Sequence, residues 1–366
     1  RTFEEVSEVY SHFASAKNPN RFLNIIYYLG KRAIEEVVEN EKRIITFSPV
    51  LRQRLGHHIH GERWAKQIKE ELDTQNLLQR PIHIISANMH SVMNSLFARA
   101  ALVKESKGKT NLELYEVLSD SNNNELREKV EKMAFNSGMT FIEDTSGANI
   151  NVQIFDTENL PSEIYNPAGE APAEGRPVIV VMDYAFGEQA YETMDELLKP
   201  YQKNGDNQFL NVASISIMGK AGILEGGKGD IMIPSAHVFE GTADNYPFEN
   251  RLQKSDFIEE DVQVCTGSMI TVLGTSLQNR DVLRFFHKST WNVIGLEMEG
   301  AHYHKAIQAA SKIRGSIGPK VKVRYAYYAS DNPLKTGSTL ASGGLGTSGV
   351  KPTYVITEKM LSQILV

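Results

Sequence analysis

Pro81-Ile82-His83-Ile84-Ile85, closed by Ser86-Ala87-Asn88 and followed by the helical spacing Val92, Leu96, Phe97, Ala100, is the stretch that decides the fold. A short β-branched run that stops at small polar residues and passes into a three-to-four-residue apolar period is a β-α unit. Four later runs repeat the plan: Pro177 to Met182 (PVIVVM), Val212 to Ile217, Asn292 to Leu296 and Val321 to Ala329. None alternates regularly between apolar and polar residues, which predicts strands buried on both faces. Strands of that kind, interleaved with helices, predict a three-layer α/β domain over residues 80–366.

Upstream the texture differs. Residues 2–78 carry apolar positions such as Phe22, Ile25, Ile26, Leu29, Ala33 and Val37 at helical spacing, with Asn18-Pro19-Asn20 marking a break. Residues 1–79 therefore read as a helical N-terminal extension. The stretch 105–176 is the least legible: a polar Ser119–Asn124 segment, a helical Glu125–Phe135 and a Pro/Gly/Ala/Glu tract from Asn166 to Pro177 read as an excursion from the sheet. Gly337 to Gly349 holds five Gly and five Ser/Thr in thirteen residues and reads equally as a linker or as a lid.

Composition narrows the function classes. With 366 residues, 41% hydrophobic, 23% charged and a formal charge of -6, the chain has an ordinary globular balance and no basic footprint for nucleic acid. Its apolar runs fall well short of the ~20 residues that a membrane helix needs, and no charged-then-apolar leader opens it. A cytoplasmic protein is expected, with neither nucleic acid nor membrane as partner. The single cysteine, Cys265, excludes an internal disulfide framework and a Cys-rich zinc site.

Three constellations carry chemistry. Gly219-Lys220-Ala221-Gly222 follows an apolar strand and precedes Gly226, Gly227, Gly229 and the strand-like Asp230 to Pro234. Glycines there let backbone N–H groups approach a ligand, with Lys220 adding charge, although a tight turn with a solvated lysine fits the same residues. Gly295-Leu296-Glu297-Met298-Glu299-Gly300 ends a strand in two carboxylates before the helical Ala301–Ala310. Acids at a strand's carboxyl end suit vicinal hydroxyls or acid/base work, and equally an acidic first helical turn. Tyr327-Tyr328-Ala329-Ser330-Asp331-Asn332-Pro333 ends another strand in Ser-Asp before proline, either a general acid set among aromatics or a turn. His57, His58 and His60 lack metal-ligand spacing, and no metal or organic cofactor is expected.

In order and spacing the three resemble the nucleoside phosphorylase/nucleosidase superfamily, and within it AMP nucleosidases. Gly219 to Pro234 is similar to that family's glycine-containing strand end and the following "GD" strand. Gly267 to Val272 is similar to its "TG-x-x-x-T" strand, Val293 to Gly300 to its "EME" ribose motif, and Ser330 to Leu334 to its "SD-x-PL" segment. Ile84 to Phe97 and Val178 to Leu198, with Gly187 after the strand, are similar to two of its β-α units.

The resemblance implies a three-layer phosphorylase/nucleosidase-like α/β domain with a mixed central sheet, and cleavage of a purine N-glycosidic bond. Asp331 would protonate the base, Glu299 would accept from the ribose hydroxyls, Met298 would pack on the sugar and Glu297 would stand beside them. Ser330 would orient Asp331, while Ser268, Met269 and Ile270 would line the base, and Gly219, Lys220 and Gly187 would complete the substrate site. A homo-oligomer is implied as well.

Two departures shape the expectation. The phosphate-holding arginine of phosphorolytic members is replaced by Ile217-Met218-Gly219-Lys220, which favours water as nucleophile. No glutamate follows the first strand, where Ser86 to Ser91 reads SANMHS, so His90 becomes the candidate that activates water. Lys220, Lys335 and Arg324 are the cations open to a 5'-phosphate. A phosphate-dependent phosphorylase and a non-catalytic nucleotide sensor are the alternative readings.

Overall fold

The computed structural model describes residues 3–40, 58–165, 175–203, 205–240, 242, 244–274, 280–335 and 346–365. The chain divides into two compact units, Arg1–Gly56 and His57–Val366. In the first, α1 (Phe3–Phe13) and α2 (Arg21–Val38) meet through Phe22, whose ring lies 5.7 Å from Phe13 and 6.3 Å from Tyr10.

The second unit runs α3 (His58–Thr74), β1 (Ile82–Ser86), α4 (Met89–Ala101), α5 (Asn111–Ser119), α6 (Asn124–Asn136), β2 (Met139–Ile142), β3 (Val152–Asp156), β4 (Val178–Met182) and α7 (Gln189–Leu197). It continues with β5 (Tyr201–Lys203), β6 (Asp206–Gln208), β7 (Val212–Ile223), β8 (Ile231–Phe239), β9 (Asn245–Pro247), β10 (Val264–Thr271), α8 (Arg280–Lys288), β11 (Val293–Glu297), α9 (Gly300–Gln308), β12 (Lys322–Asp331) and α10 (Val350–Ser362).

The main sheet is mixed, in the order β11-β10-β8-β12-β7-β1-β4-β3-β2, with β9 on β8. Along β4, Val178, Val180 and Met182 enter one core with Trp64, Ile68, Leu72, Met194 and Tyr303. Ile179 and Val181 enter the opposite core with Val92, Phe97, Val130 and Tyr354. Both faces of the strand are buried, which is why it reads as a continuous apolar run. The expected three-layer α/β architecture is the one found.

One long strand shapes the site. The first half of β7 runs parallel to β1, and its far end pairs antiparallel with β11 through Ile223–Gly295 and Gly222–Leu296. Strands β7, β12, β8, β10 and β11 thereby close on themselves. Closure needs a glycine at 295, because a Cβ there would stand 2.6 Å from the Gly222 carbonyl oxygen.

Three expectations change. The compact unit starts at His57 rather than at residue 80, because α3 buries Trp64, Ile68 and Leu72 in the α/β core and Trp64 Nε1 donates to the Ile150 carbonyl at 2.8 Å. The stretch 105–176 is no simple excursion, since it supplies β2 and β3, which extend the sheet antiparallel beyond β4. The Asn166–Pro177 tract and the Gly337–Gly349 segment lie largely outside the described residues.

The packing of α3 gives a stability prediction. Ile68→Ala or Leu72→Ala, each at a site at most 1% exposed, should cost about 2–5 kcal/mol in urea unfolding. Ile26→Ala, on the exposed α2 surface, should stay within about 0.5 kcal/mol of the parent.

Candidate active site

The site forms where β7, β11 and β12 end and the turn after β4 returns. Strand β11 stops at Glu297 because its buried carboxylate accepts the backbone N–H groups of Glu299 and Gly300 and the hydroxyl of Thr271. Thr271 Oγ1 accepts in turn from Ala301 N–H at 3.0 Å. Four residues of β10, β11 and α9 are thus tied through one carboxyl, which satisfies donors that a helix start leaves open. Burial, and then the charge of Glu299, push the Glu297 carboxyl up to about 8.

Glu299 follows at the cap of α9. Gly187 N–H reaches its Oε1 at 3.0 Å, and Met298 N–H reaches Oε2 at 3.2 Å. Gly187 presents that N–H from a backbone with φ +56, a conformation that glycine adopts without strain. Burial raises the Glu299 carboxyl too, against the pull of those two donors.

Both glutamates and Met298 line a cavity of about 440 Å³, together with Gly219, Lys220 and Ser330. Five aromatic side chains also line it: Tyr184, Phe186, Tyr303, Tyr327 and Tyr328. Tyr303 Oη pairs with Ser86 Oγ at 2.9 Å, and Tyr327 Oη pairs with Nε2 of the fully buried His237 at 3.1 Å. Burial drives both phenols up and the His237 imidazole well below its usual range, so these groups stay neutral near pH 7.

On β12 the ladder to β7 is irregular at Ser330, between the pairs Ala329–Ala221 and Asp331–Gly222. Ser330 faces the cavity; Asp331 stands behind that wall, buried. The Ser330 hydroxyl donates to Asp331 Oδ1 at 2.6 Å, and Asp331 Oδ2 is buried with no partner among the described residues.

Six of the anticipated residues therefore share one cavity: Glu297, Met298, Glu299, Gly219, Lys220 and Ser330. Gly187 touches it through Glu299, and Asp331 through Ser330. Ser268, Met269 and Ile270 do not line it. They lie within β10 between β8 and β11, where Met269 and Ile270 are fully buried in the core. His90 lines a neighbouring cavity instead, so the water-activating role expected of it has no support in its position. Arg324 is buried against Ser214 and Gln363, and Lys335 Nζ donates to the Gly226 carbonyl at 3.0 Å. His60 Nδ1 lies 2.8 Å from the Ser146 carbonyl oxygen. No group of three or more potential metal ligands occurs among the described residues, and no helix described is long and apolar enough to cross a membrane.

Sequence reasoning missed Ser86, Tyr184, Phe186 and Tyr303. Tyr184 and Phe186 sit between the end of β4 and Gly187, so aromatic residues in a strand-end turn were the available signal. Tyr303 is indistinguishable in sequence from a core residue of α9.

The chain belongs to a family described as a family of unknown function (DUF6909), whose match covers residues 14–134 and 104–366. No curated protein matches it. Among solved structures it is similar to the 5'-methylthioadenosine/S-adenosyl homocysteine nucleosidase of Campylobacter jejuni, at 13% identity and TM-score 0.43, over 77% of this chain and 97% of that one. It is also similar to the futalosine hydrolase of Helicobacter pylori, at 10% identity and TM-score 0.45, over 78% of this chain and 98% of that one.

The buried carboxyl makes stability depend on pH. A group raised from 4.5 to about 8 stabilises the fold in its protonated form; that contribution is complete below the ordinary value and is lost as pH rises through about 8. His83 and His304, lowered from 6.5 to about 4, act in the opposite sense, losing their contribution as pH falls through that interval. Glu297 therefore stands clear of both between about pH 6.5 and 8. Calorimetric melting temperature should fall across that window, and Glu297→Gln should flatten the slope. An equal slope in the variant contradicts the assignment.

Proposed function

We propose that the chain hydrolyses the N-glycosidic bond of a purine nucleoside or nucleotide, in the manner of an AMP nucleosidase. The observation that supports this most is Glu299, fixed by two backbone N–H groups in the lining of a cavity rich in aromatic side chains, with Ser330, whose hydroxyl donates to the buried Asp331, on the same cavity. The "EME" and "SD-x-PL" resemblances fall on these same residues.

Such a bond breaks through an oxocarbenium-like state, with positive charge growing on the sugar and negative charge on the departing base. Glu299 keeps lone pairs for the ribose 2'- and 3'-hydroxyls, and those hydrogen bonds strengthen as the ring becomes cationic. Met298 packs on the sugar. Asp331 is the proton donor to purine N7, held in orientation by the Ser330 hydroxyl that donates to it. The rings of Tyr184, Phe186 and Tyr328 offer flat apolar walls to a purine. Glu297 has its lone pairs filled by Thr271, Glu299 and Gly300, so its part is to hold Glu299 in place. Water completes the reaction, and a late-attacking nucleophile asks little of a base.

Base release by chromatography from AMP, adenosine, methylthioadenosine, inosine, GMP and uridine, each with and without inorganic phosphate, tests the reading. A purine compound should release its base without phosphate, and uridine should not. A strict phosphate requirement would mean phosphorolysis; binding without release would mean a sensor. Asp331→Asn should lower turnover by ~10²–10⁴-fold while ligand still binds in calorimetry. Glu299→Gln should damage binding and rate together.

A further inference from the structure

A cavity of about 660 Å³, lined from α3 and the end of α7, shares no residue with the candidate active site. Lys69 of α3 stands in its wall, 5% exposed. Its Nζ donates to the carbonyls of Glu196 and Lys199, each at 2.7 Å, where α7 ends. A lysine can close the open carbonyls of a helix end from solvent, but a buried lysine is almost always paired with an acid. Lys69 is not, since both of its hydrogen bonds go to backbone. The acids beside it are committed elsewhere: Glu196 to Lys199 at 2.5 Å, and Asp195 to Lys199 and Arg314 at 3.4 and 2.7 Å.

That geometry leaves the neutral amine a single open direction. The nitrogen is tetrahedral; Cε takes one direction and the two carbonyls take two, which the two N–H groups of the neutral amine fill. The lone pair is left for a reactant that enters the cavity. Burial without an acid also favours the neutral form, and brings the Lys69 amine down from 10.5 to about 8. Three further cations, Lys66, Lys199 and Arg314, line the same cavity against two carboxylates, Glu62 and Glu196. Such a wall suits a small uncharged reactant whose adduct is an anion.

We infer that Lys69 is a modification site, at which carbon dioxide adds reversibly to the side-chain amine to give a carbamate. The Nζ lone pair forms the N–C bond, an electron pair of one C=O moves to its oxygen, and one N–H proton leaves to solvent; nothing is oxidised or reduced. The proton that leaves is the one facing Glu196, whose carbonyl keeps the Lys199 N–H at 3.3 Å, and the N–H that stays holds the Lys199 carbonyl. A negative charge then replaces a positive one at the joint of α3 with α7, the helix that begins two residues beyond Gly187. None of this chemistry depends on what the first cavity binds.

The test is carbon NMR of the full chain equilibrated with isotope-labelled bicarbonate near neutral pH. The parent should show a carbamate resonance beyond that of the α-amino group, and Lys69→Arg, shown folded by circular dichroism, should lack it. Trapping with a trialkyloxonium salt, followed by peptide mass spectrometry, should place the label on Lys69 at least ~10-fold above exposed lysines, because near neutral pH an amine at about 8 is neutral ~10²-fold more often than one at ~10.4. No second resonance in the parent overturns the proposal, as does one that persists in Lys69→Arg or a label spread evenly over exposed lysines. If Lys69→Arg does not fold, the trapped parent decides alone: label on Lys69 supports the site, and label only elsewhere strikes it.

Discussion

The site depends on the Glu297 carboxyl. It draws in the N–H groups of Glu299 and Gly300 and the hydroxyl of Thr271, so the end of β11, the start of α9 and the end of β10 are held by one group. Burying a carboxylate is expensive, and these three donors offset only part of that cost, so burial still pushes the carboxyl up to about 8. What they fix is the backbone on which Glu299 stands. Glu299 in turn takes Gly187 N–H from the turn after β4, which ties the far side of the cavity to the same point.

Strand closure gives this corner its setting. Because β7 runs on past β1 and pairs with β11, the ends of β7, β11 and β12 converge, and the residues that leave them face one another across a single space. A parallel sheet left open would place the same residues along an edge. The neutral phenols and the buried His237 surround the carboxylates with polarity that does not titrate near neutrality. Low dielectric and fixed dipoles there strengthen electrostatic interactions within the cavity.

Much of this was legible in the sequence. Runs such as Pro177–Met182 and Val212–Ile217 announce strands because burial on both faces removes the polar alternation, and Val293 to Leu296 announces a strand end because two acids, Glu297 and Glu299, follow it. Short β2 and β3 went unread, since four or five residues packed antiparallel leave little periodic signal. Ser268 to Ile270 do not line this cavity: a strand's residues do not say which part of it reaches the open end, and here β10 is enclosed between β8 and β11. His90 was read from its closeness to β1 in sequence, but it faces the neighbouring space. Tyr303 and Phe186 are brought to the cavity by tertiary convergence alone.

The central claim is that this corner of the fold breaks a bond between a purine and ribose with water as the acceptor. Mass spectrometry of the sugar product tests it most directly. The account predicts free purine together with an equal amount of unsubstituted-C1 sugar, ribose or ribose 5-phosphate. Formation of a ribose 1-phosphate product, or no sugar product under conditions where the ligand binds, would contradict it.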